Sequence, residues 1–450
     1  MSARPLNART EALLRRLVRR DAAGALRKLL ARSRPSDIAA AMEHLTWAEQ
    51  RRLYRLIPDG DYAAEVLSYL SDESSREISR EMTEEQVVDL IDRMAPDDAT
   101  DLVAVLPEEL RARVLAEMDD EHSEVRDLLA WPPDTAGGLM SPNAFCMPDT
   151  ATCGQAIAAL QSNSDDLASV YYVYIVDRTQ GLVGVTSLRS LLTSPPRTPL
   201  VTIMARDVIR VSPSEDQEEV ARFVARYDLL AIPVVDDHAR ILGIVTVDDV
   251  VDVIREEAAE DMLRMVGMVE DERQGSVFRQ SWQRAGWLLA TIGGGILAAE
   301  IIGLYENTLA RVAVLAGFIP VIMGMGGNVG IQSATLAVRG LATGAIQIGG
   351  AAGFVVREAR VGVVLGLLYA ALLGTYGVLR YPGQPLIGVS VAASIGLAIA
   401  LAAVIGACIP IGLSRAGVDP AIATGPFVTT IVDVIGILVY FNVARLMLDL

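Results

Sequence analysis

Histidine and cysteine are scarce in this chain of 450 residues, with three of each. Cys146, Cys153 and Cys408 share no CxxC spacing, and His44, His122 and His238 are scattered, so a thiolate or imidazole site for a soft metal has little material. Any metal bound here is expected to be hard and oxygen-ligated. Ser/His/Asp chemistry lacks a suitable histidine, no GxxxxGK loop is present to cradle phosphates, and no catalytic constellation emerges, so the chain is not read as an enzyme. The N-terminus also lacks the apolar core of a signal peptide. It carries Arg4, Arg9, Glu11, Arg15, Arg16, Arg19 and Arg20 instead, and the first half is expected to stay in the cytoplasm. Lysine is nearly absent, with arginine in its place.

Acidic residues are plentiful: 56 Asp and Glu against 39 Lys and Arg, a net charge of −17. From Trp282 onward there are only 6 acids and 8 arginines, which leaves 50 acids against 31 basic residues before it. The first part therefore carries about −19 and the second about +2. Such a surface repels nucleic acid and attracts cations.

Four textures follow one another. Over residues 1–130, short amphipathic segments (among them DAAGALRKLLARS, RPSDIAAAMEHLT, REISREMTEEQVVDLIDRMA and PDDATDLVAVLP) repeat apolar residues at three and four, with Pro, Asp, Ser or Gly between them. This predicts an α-helical superhelix of stacked repeats. Over 131–255, after Trp131-Pro132-Pro133, β and α signals alternate, and the order helix, strand pair, helix occurs twice. GQAIAALQSNS, VYYVYIVD and LVGVTSLRSLL make the first copy; EEVARFVARYD, LLAIPVVDD and RILGIVTVDDVVDVI make the second. Together with TAGGLMSP and TIMARDVIRVSPSED at the entrances, these copies resemble a tandem pair of cystathionine β-synthase (CBS) domains, an α/β fold. A connecting helix, running from Asp249 to about Gly267, continues into a linker over 256–281. Over 282–450, five apolar segments, at about 283–304, 312–337, 361–379, 386–413 and 421–448, are each long enough to cross a hydrocarbon core of roughly 30 Å. The expectation is a multidomain protein whose last part is an all-α, five-helix transmembrane domain. The positive-inside bias of its loops is weak, so the cytoplasmic first half must support the orientation.

Polar residues inside the apolar segments point to chemistry. Asp433 lies within PAIATGPFVTTIVDVIGILVYFNVARLML, and a carboxylate near the centre of a spanning helix costs roughly 2.5–3.5 kcal/mol, so a polar cavity or a partner is expected. Thr429 is one turn away on the same face, and Pro426 is expected to free backbone carbonyls along the same passage. In FIPVIMGMGGNVGIQSATLAVRG the glycines suit close helix packing, whereas Asn328 and Gln332, four apart, offer carbonyl oxygens to a shared cavity. In the connecting helix DDVVDVIREEAAEDMLRMVG, Asp249, Asp252 and Glu256 share one face and Glu257, Glu260 and Asp261 another. Like charges at this spacing oppose a helix unless cations or arginines offset them, although a solvated acidic helix is the plainer alternative.

Over nearly its whole length the chain resembles the MgtE family of magnesium channels, on PVIMGMGGNVGIQSATLAVRGLA and DPAIATGPFVTTIVDVIG above all. The resemblance implies a homodimer embedded in membrane lipid, a pore on the two-fold axis, and an ion-selecting ring made by Asp433 and its symmetry mate; Thr429, Asn328 and Gln332, picked out by their spacing, are expected to line the same pore. It also implies regulatory magnesium sites between the cytoplasmic domains, drawing on Asp97, Asp101, Asp216, Glu218, Asp228, Asp249, Asp252, Glu257, Glu260 and Asp261. Asp97 and Asp101 are one helical turn apart, which suits a shared ion. An adenine nucleotide, ATP, is a candidate ligand of the CBS pair, with no residues assigned. Magnesium fits the chemistry on other grounds, since a small hard ion that holds its waters can be recognised hydrated by carboxylate and carbonyl oxygens. The expected activity is magnesium uptake, closed by high cytoplasmic magnesium. The rivals are an ion-coupled transporter of another divalent cation and a membrane-anchored CBS nucleotide sensor.

Overall fold

The computed structural model describes residues 8–20, 22–118, 123–162, 170–265, 268, 277–343, 345–346, 350–423 and 425–449. It divides into two compact units, Met1–Arg255 and Glu256–Leu450.

Among the described residues the first unit begins with ten short helices, from Ala8–Arg19 to Ser123–Leu128. Helices of two turns are too short to stand alone in water, so packing must hold them. Alternate helices stack on one another: Pro35–Met42 on Gly60–Ser68 and that on Glu84–Ile91, with Trp47–Tyr54, Asp72–Ser79 and Pro96–Val105 forming the second layer. Leu26, Ile38, Leu53, Val66, Val87, Val103 and Val114 supply one continuous core between the layers. Local signals stop each helix. The segment REISREMTEEQVVDLIDRMA, read as one helix, is broken between Ser79 and Glu84, because Thr83 and Gln86 form a capping box that starts a new one. There the backbone N–H of Thr83 donates to Gln86 Oε1 at 3.0 Å and that of Gln86 to Thr83 Oγ1 at 3.4 Å. The first helix, Ala8–Arg19, was absent from the sequence reading.

The duplicated α/β part follows. Strand β1 (Cys146–Pro148) pairs in parallel with β2 (Tyr172–Val176), which pairs antiparallel with β3 (Leu182–Ser187). In the second copy β4 (Ala231–Val235) pairs antiparallel with β5 (Ile241–Thr246), and Val211 bridges Val234 in parallel, as β1 does β2. Both hairpins carry a register shift at the equivalent place, Ile175/Val176 and Val234/Val235. Both turns are closed by an aspartate: Asp177 Oδ1 accepts from the N–H groups of Thr179 and Gly181, Asp236 Oδ1 from those of His238 and Arg240. The helix Val247–Met265 leaves β5 and crosses the boundary between the units. Gly267, where the sequence reading ended this helix, lies outside the described residues.

Among the described residues the second unit contains five helices long and apolar enough to cross a membrane: Arg284–Gly303, Ala313–Ala342 (a 3-10 turn leading into Ile319–Ala342), Ala351–Arg380, Pro385–Arg415 and Pro426–Leu448. The fourth is central, packed against the second, third and fifth. Small residues permit this. A Cβ at Gly406 would collide with the Gly330 carbonyl, and one at Gly366 with that of Gly396, so glycine is required where these helices cross. The buried aromatics of the fifth helix lock its far half: Tyr440 donates its hydroxyl to Leu315 O at 2.8 Å, and Phe441 stacks on Tyr305 with centroids 4.6 Å apart.

Candidate ion-binding and pore sites

Carboxylates gather in the first unit where the helix Pro96–Val105 meets the start of the connecting helix. Pro96 occupies the first helical turn and sets Asp97 and Asp98 immediately inside it, with Asp101 one turn on. Burial pushes the Asp97 carboxyl up, against hydrogen bonds from the local backbone and Ser141. Its Oδ1 is buried with no hydrogen-bond partner among the described residues. Asp98 is pushed up to about 7 by burial and by the charges of Asp97, Asp249 and Asp248. Asp101, although its surface is exposed, is pushed up to about 7 by crowding and by Asp72, Asp98, Asp97 and Asp249. Asp249 rises to about 6, through burial and the charges of Asp97 and Asp248, opposed by the Thr246 hydroxyl that donates to its Oδ2 at 2.6 Å. Asp249 thus does two things at once: it caps the connecting helix and takes part in the repulsion. Asp72, Asp98 and Asp248 were missed by sequence reasoning. Asp98 lies beside Asp97 rather than a turn away, and only packing brings Asp72 and Asp248 near.

The other acids proposed from sequence are distributed differently. Asp216 is the N-cap of the helix Gln217–Tyr227, accepting from the Glu218 N–H at 2.9 Å, and Glu218 pairs with Arg222 at 2.7 Å. Asp228 closes the same helix in the left-handed conformation, φ 52°. The two ends of that helix are about 17 Å apart at 1.5 Å per residue, so Asp228 is not brought to Asp216 and Glu218. Asp252 is exposed and pairs with Arg255 at 3.2 Å. Among the described residues no three His, Cys, Asp or Glu side chains converge closely enough to wrap a bare metal ion.

In the second unit the connecting helix is tied to the segment preceding the fifth span. Arg264 pairs with both Glu260, one turn earlier, and Asp419. Asp419 Oδ1 accepts from the Ala421 N–H at 2.8 Å, holding the 3-10 turn Pro420–Ala423, and a Cβ on Gly425 would stand 3.0 Å from the Met265 carbonyl. The acidic run is therefore offset by its own arginines at Arg255 and Arg264. Glu257 and Asp261 also have interactions of their own.

Within the spanning helices, Asp433 is half-buried and its Oδ1 has no hydrogen-bond partner among the described residues. A Cβ on Gly327 of the second span would lie 3.8 Å from that oxygen and 3.7 Å from Thr429 Cγ2, so the missing side chain at 327 leaves room beside the carboxylate. Thr429 donates its hydroxyl to its own helix, to Pro426 O at 3.1 Å and Gly425 O at 3.4 Å. This corrects the expectation that Pro426 frees carbonyls for a passage. Pro426 is in the first turn, where a helix has no N–H to lose, and the nearby carbonyls are taken by Thr429. Asn328 and Gln332 are exposed on the second span, and neither side-chain amide finds a partner among the described residues. Glu358 was also passed over; it is buried on the third span and accepts the Ser333 hydroxyl at 2.9 Å.

Three family models match the chain: the divalent cation transporter MgtE over residues 319–443, the MgtE intracellular N domain over 33–134 and the CBS domain over 201–256. The magnesium transporter MgtE of Thermus thermophilus is 37% identical over 94% of this chain and 95% of its own. That of Bacillus subtilis is 32% identical over 91% and 93%. A solved structure of the cytosolic domain of the Mg²⁺ channel MgtE in complex with ATP, 34% identical, covers 54% of this chain and 99% of its own, with a TM-score of 0.50. With five apolar helices following a cytoplasmic N-terminal half, the chain is a multi-pass membrane protein and belongs to the MgtE family of magnesium transporters.

Proposed function

We propose that the protein is a homodimeric, Mg²⁺-selective channel that admits magnesium and closes when cytoplasmic magnesium is high. The observation that carries this reading is the buried, unpartnered Oδ1 of Asp433 beside Gly327, an expensive arrangement in a spanning helix unless a cation passes it. Two copies of Asp433 facing each other supply two negative charges to a hydrated ion, and Asn328 and Gln332, exposed in one chain, gain partners at the contact with a second.

The division into a helical N domain (1–130), tandem CBS domains (131–255), a connecting helix and linker (256–281) and a pore domain (282–450) gives each part a role in gating. The Asp97 group and Asp249 repel one another, and all their donors are oxygens, as a hard divalent ion requires. Because they are not packed into a tight cage, the ion is held with its waters, bridging the N domain to the start of the connecting helix. High magnesium then favours the compact state, and several ions acting on one equilibrium make closure steep. The clasp Arg264–Asp419 transmits the connecting helix's position to the start of the pore helix. ATP bound at the CBS pair, as in the related cytosolic domain, adds a second input.

The test is magnesium flux into liposomes holding the full-length protein, with cytoplasmic-side magnesium varied. Flux that falls steeply as that magnesium rises, and needs no proton or sodium gradient, is expected; flux that collapses without such a gradient would replace the channel by an ion-coupled transporter.

A further inference from the structure

The membrane domain holds a feature that ion passage does not use. Where the second and third spanning helices approach their shared loop, an open cavity of about 710 Å³ is lined by Arg339 and Arg357 together with Thr343 and the apolar Leu336, Ile346 and Phe354. Both arginines are exposed, and neither has a carboxylate within salt-bridge distance among the described residues. Glu358, next to Arg357 in sequence, turns the other way, into the bundle against Ser333. Thr343 spends its proton on Arg339 O at 2.8 Å, leaving its oxygen lone pairs but no donor, so among the described residues the strong side-chain donors facing the cavity are the two guanidinium forks. The walls are otherwise greasy, and beyond Arg357 the exposed Val361 and Val364 continue an apolar surface along the third helix. With the N-terminal half cytoplasmic, the first span leads out and the second returns, so this loop lies at the cytoplasmic face, whose leaflet carries the anionic lipids.

We propose that this cavity seats the phosphodiester headgroup of an anionic phospholipid of the cytoplasmic leaflet, held by Arg339 and Arg357, with its acyl chains along the exposed face of the third helix. A planar guanidinium matches a phosphodiester's paired oxygens, and two of them offset its single negative charge in a setting too apolar to solvate free arginines well. A soluble phosphate would gain the same two contacts but none of the apolar wall. Gly350 and Gly353 have nothing within 4 Å of an added Cβ, so the space beside the arginines is open and can be filled without disturbing the helices.

The experiment is native mass spectrometry of the purified full-length protein with phosphatidylglycerol or phosphatidylcholine added, alone and against millimolar inorganic phosphate. The expected result is retention of phosphatidylglycerol over phosphatidylcholine, unaffected by phosphate, and weakened on the order of tenfold or more in Arg339→Gln/Arg357→Gln. Gly353→Leu keeps both charges and puts a branched apolar side chain into the space beside them. It should lose the preference as well, and it stands in for the double variant should that one fail to fold. Equal retention of the two lipids, a preference unchanged in either well-folded variant, or displacement by inorganic phosphate would each overturn the proposal.

Discussion

The carboxylates of the two units solve opposite problems. In the first unit Asp97, Asp98, Asp101 and Asp249 crowd together, and desolvation with the charges of neighbouring carboxylates raises the pKa of each. In the second, Asp433 stands alone on an apolar helix, with a glycine rather than a partner beside it. A crowd of acids can be switched, since a bound cation changes how strongly its members repel. A solitary acid cannot be switched in that way; it can only select what comes past. That difference supports the proposed division of labour, with sensing in the first unit and selection in the second.

The largest effect is expected at Asp433. Asp433→Asn keeps shape and removes charge, and should lower magnesium flux in liposomes by about a hundredfold or more while the protein still elutes as the wild type does. Undiminished flux would end the comparison, because the solitary carboxylate would then be structural. Next comes the crowd. Asp97→Asn combined with Asp101→Asn should leave the conductance unchanged and raise the cytoplasmic magnesium needed for half-closure about tenfold, read in patch recordings. A shift of similar size is expected when Asp249, Asp252, Glu257, Glu260 and Asp261 are neutralised together; unchanged inhibition in both would leave these acids as solvated surface.

A pH dependence separates the two regions further. A carboxyl whose pKa is raised on folding binds more protons in the folded than in the unfolded state, so its stabilisation is fully present below about 4 and is lost as pH rises through the folded value. For Asp249 that value is about 6 and for Asp98 and Asp101 about 7. Without magnesium, proteolysis of the full-length protein between the N domain and the CBS pair should quicken as pH goes from 5.5 to 8, and millimolar magnesium should remove most of that slope. Asp98→Asn should flatten it too. A slope that magnesium leaves untouched would show that cations do not take the protons' place.

The smallest effect is expected at the clasp. Arg264 and Asp419 are partly exposed, and pairs of that kind contribute about 0–1 kcal/mol. Arg264→Gln should therefore shift the closing magnesium concentration by only about twofold to fivefold. A loss of closure altogether would mean that the clasp, rather than the crowd, holds the closed state.

Much of this was legible before any fold. Helical spacing put Asp97 and Asp101 on one face, the interruption of apolar runs marked Asn328, Gln332 and Asp433, and the repeated strand and helix order announced the duplicated α/β pair. What stayed hidden was adjacency across elements. Asp72 and Asp98 look like ordinary first-turn acids at a helix N-terminus, and only the stacking of the two-turn helices sets them beside Asp101. The glycines of the second span read as packing residues, which Gly326 and Gly330 are, against Val432; Gly327, in the same run, is the one that opens space at Asp433. Pro426 read as a break in a helix because a sequence does not say where a helix starts to within a residue or two.

By itself, then, the chain's sequence determined the number of spans, their polar interruptions, the acidic character of the first half and the local caps, all of which depend on residues a few places apart. Tertiary structure alone decided which acids repel one another, which arginine answers Asp419, and which glycine faces Asp433. The physical reason is one of range. Periodicity and capping act over one or two turns of the same helix, whereas burial, charge repulsion and close helix crossing depend on groups far apart in sequence that only packing brings together.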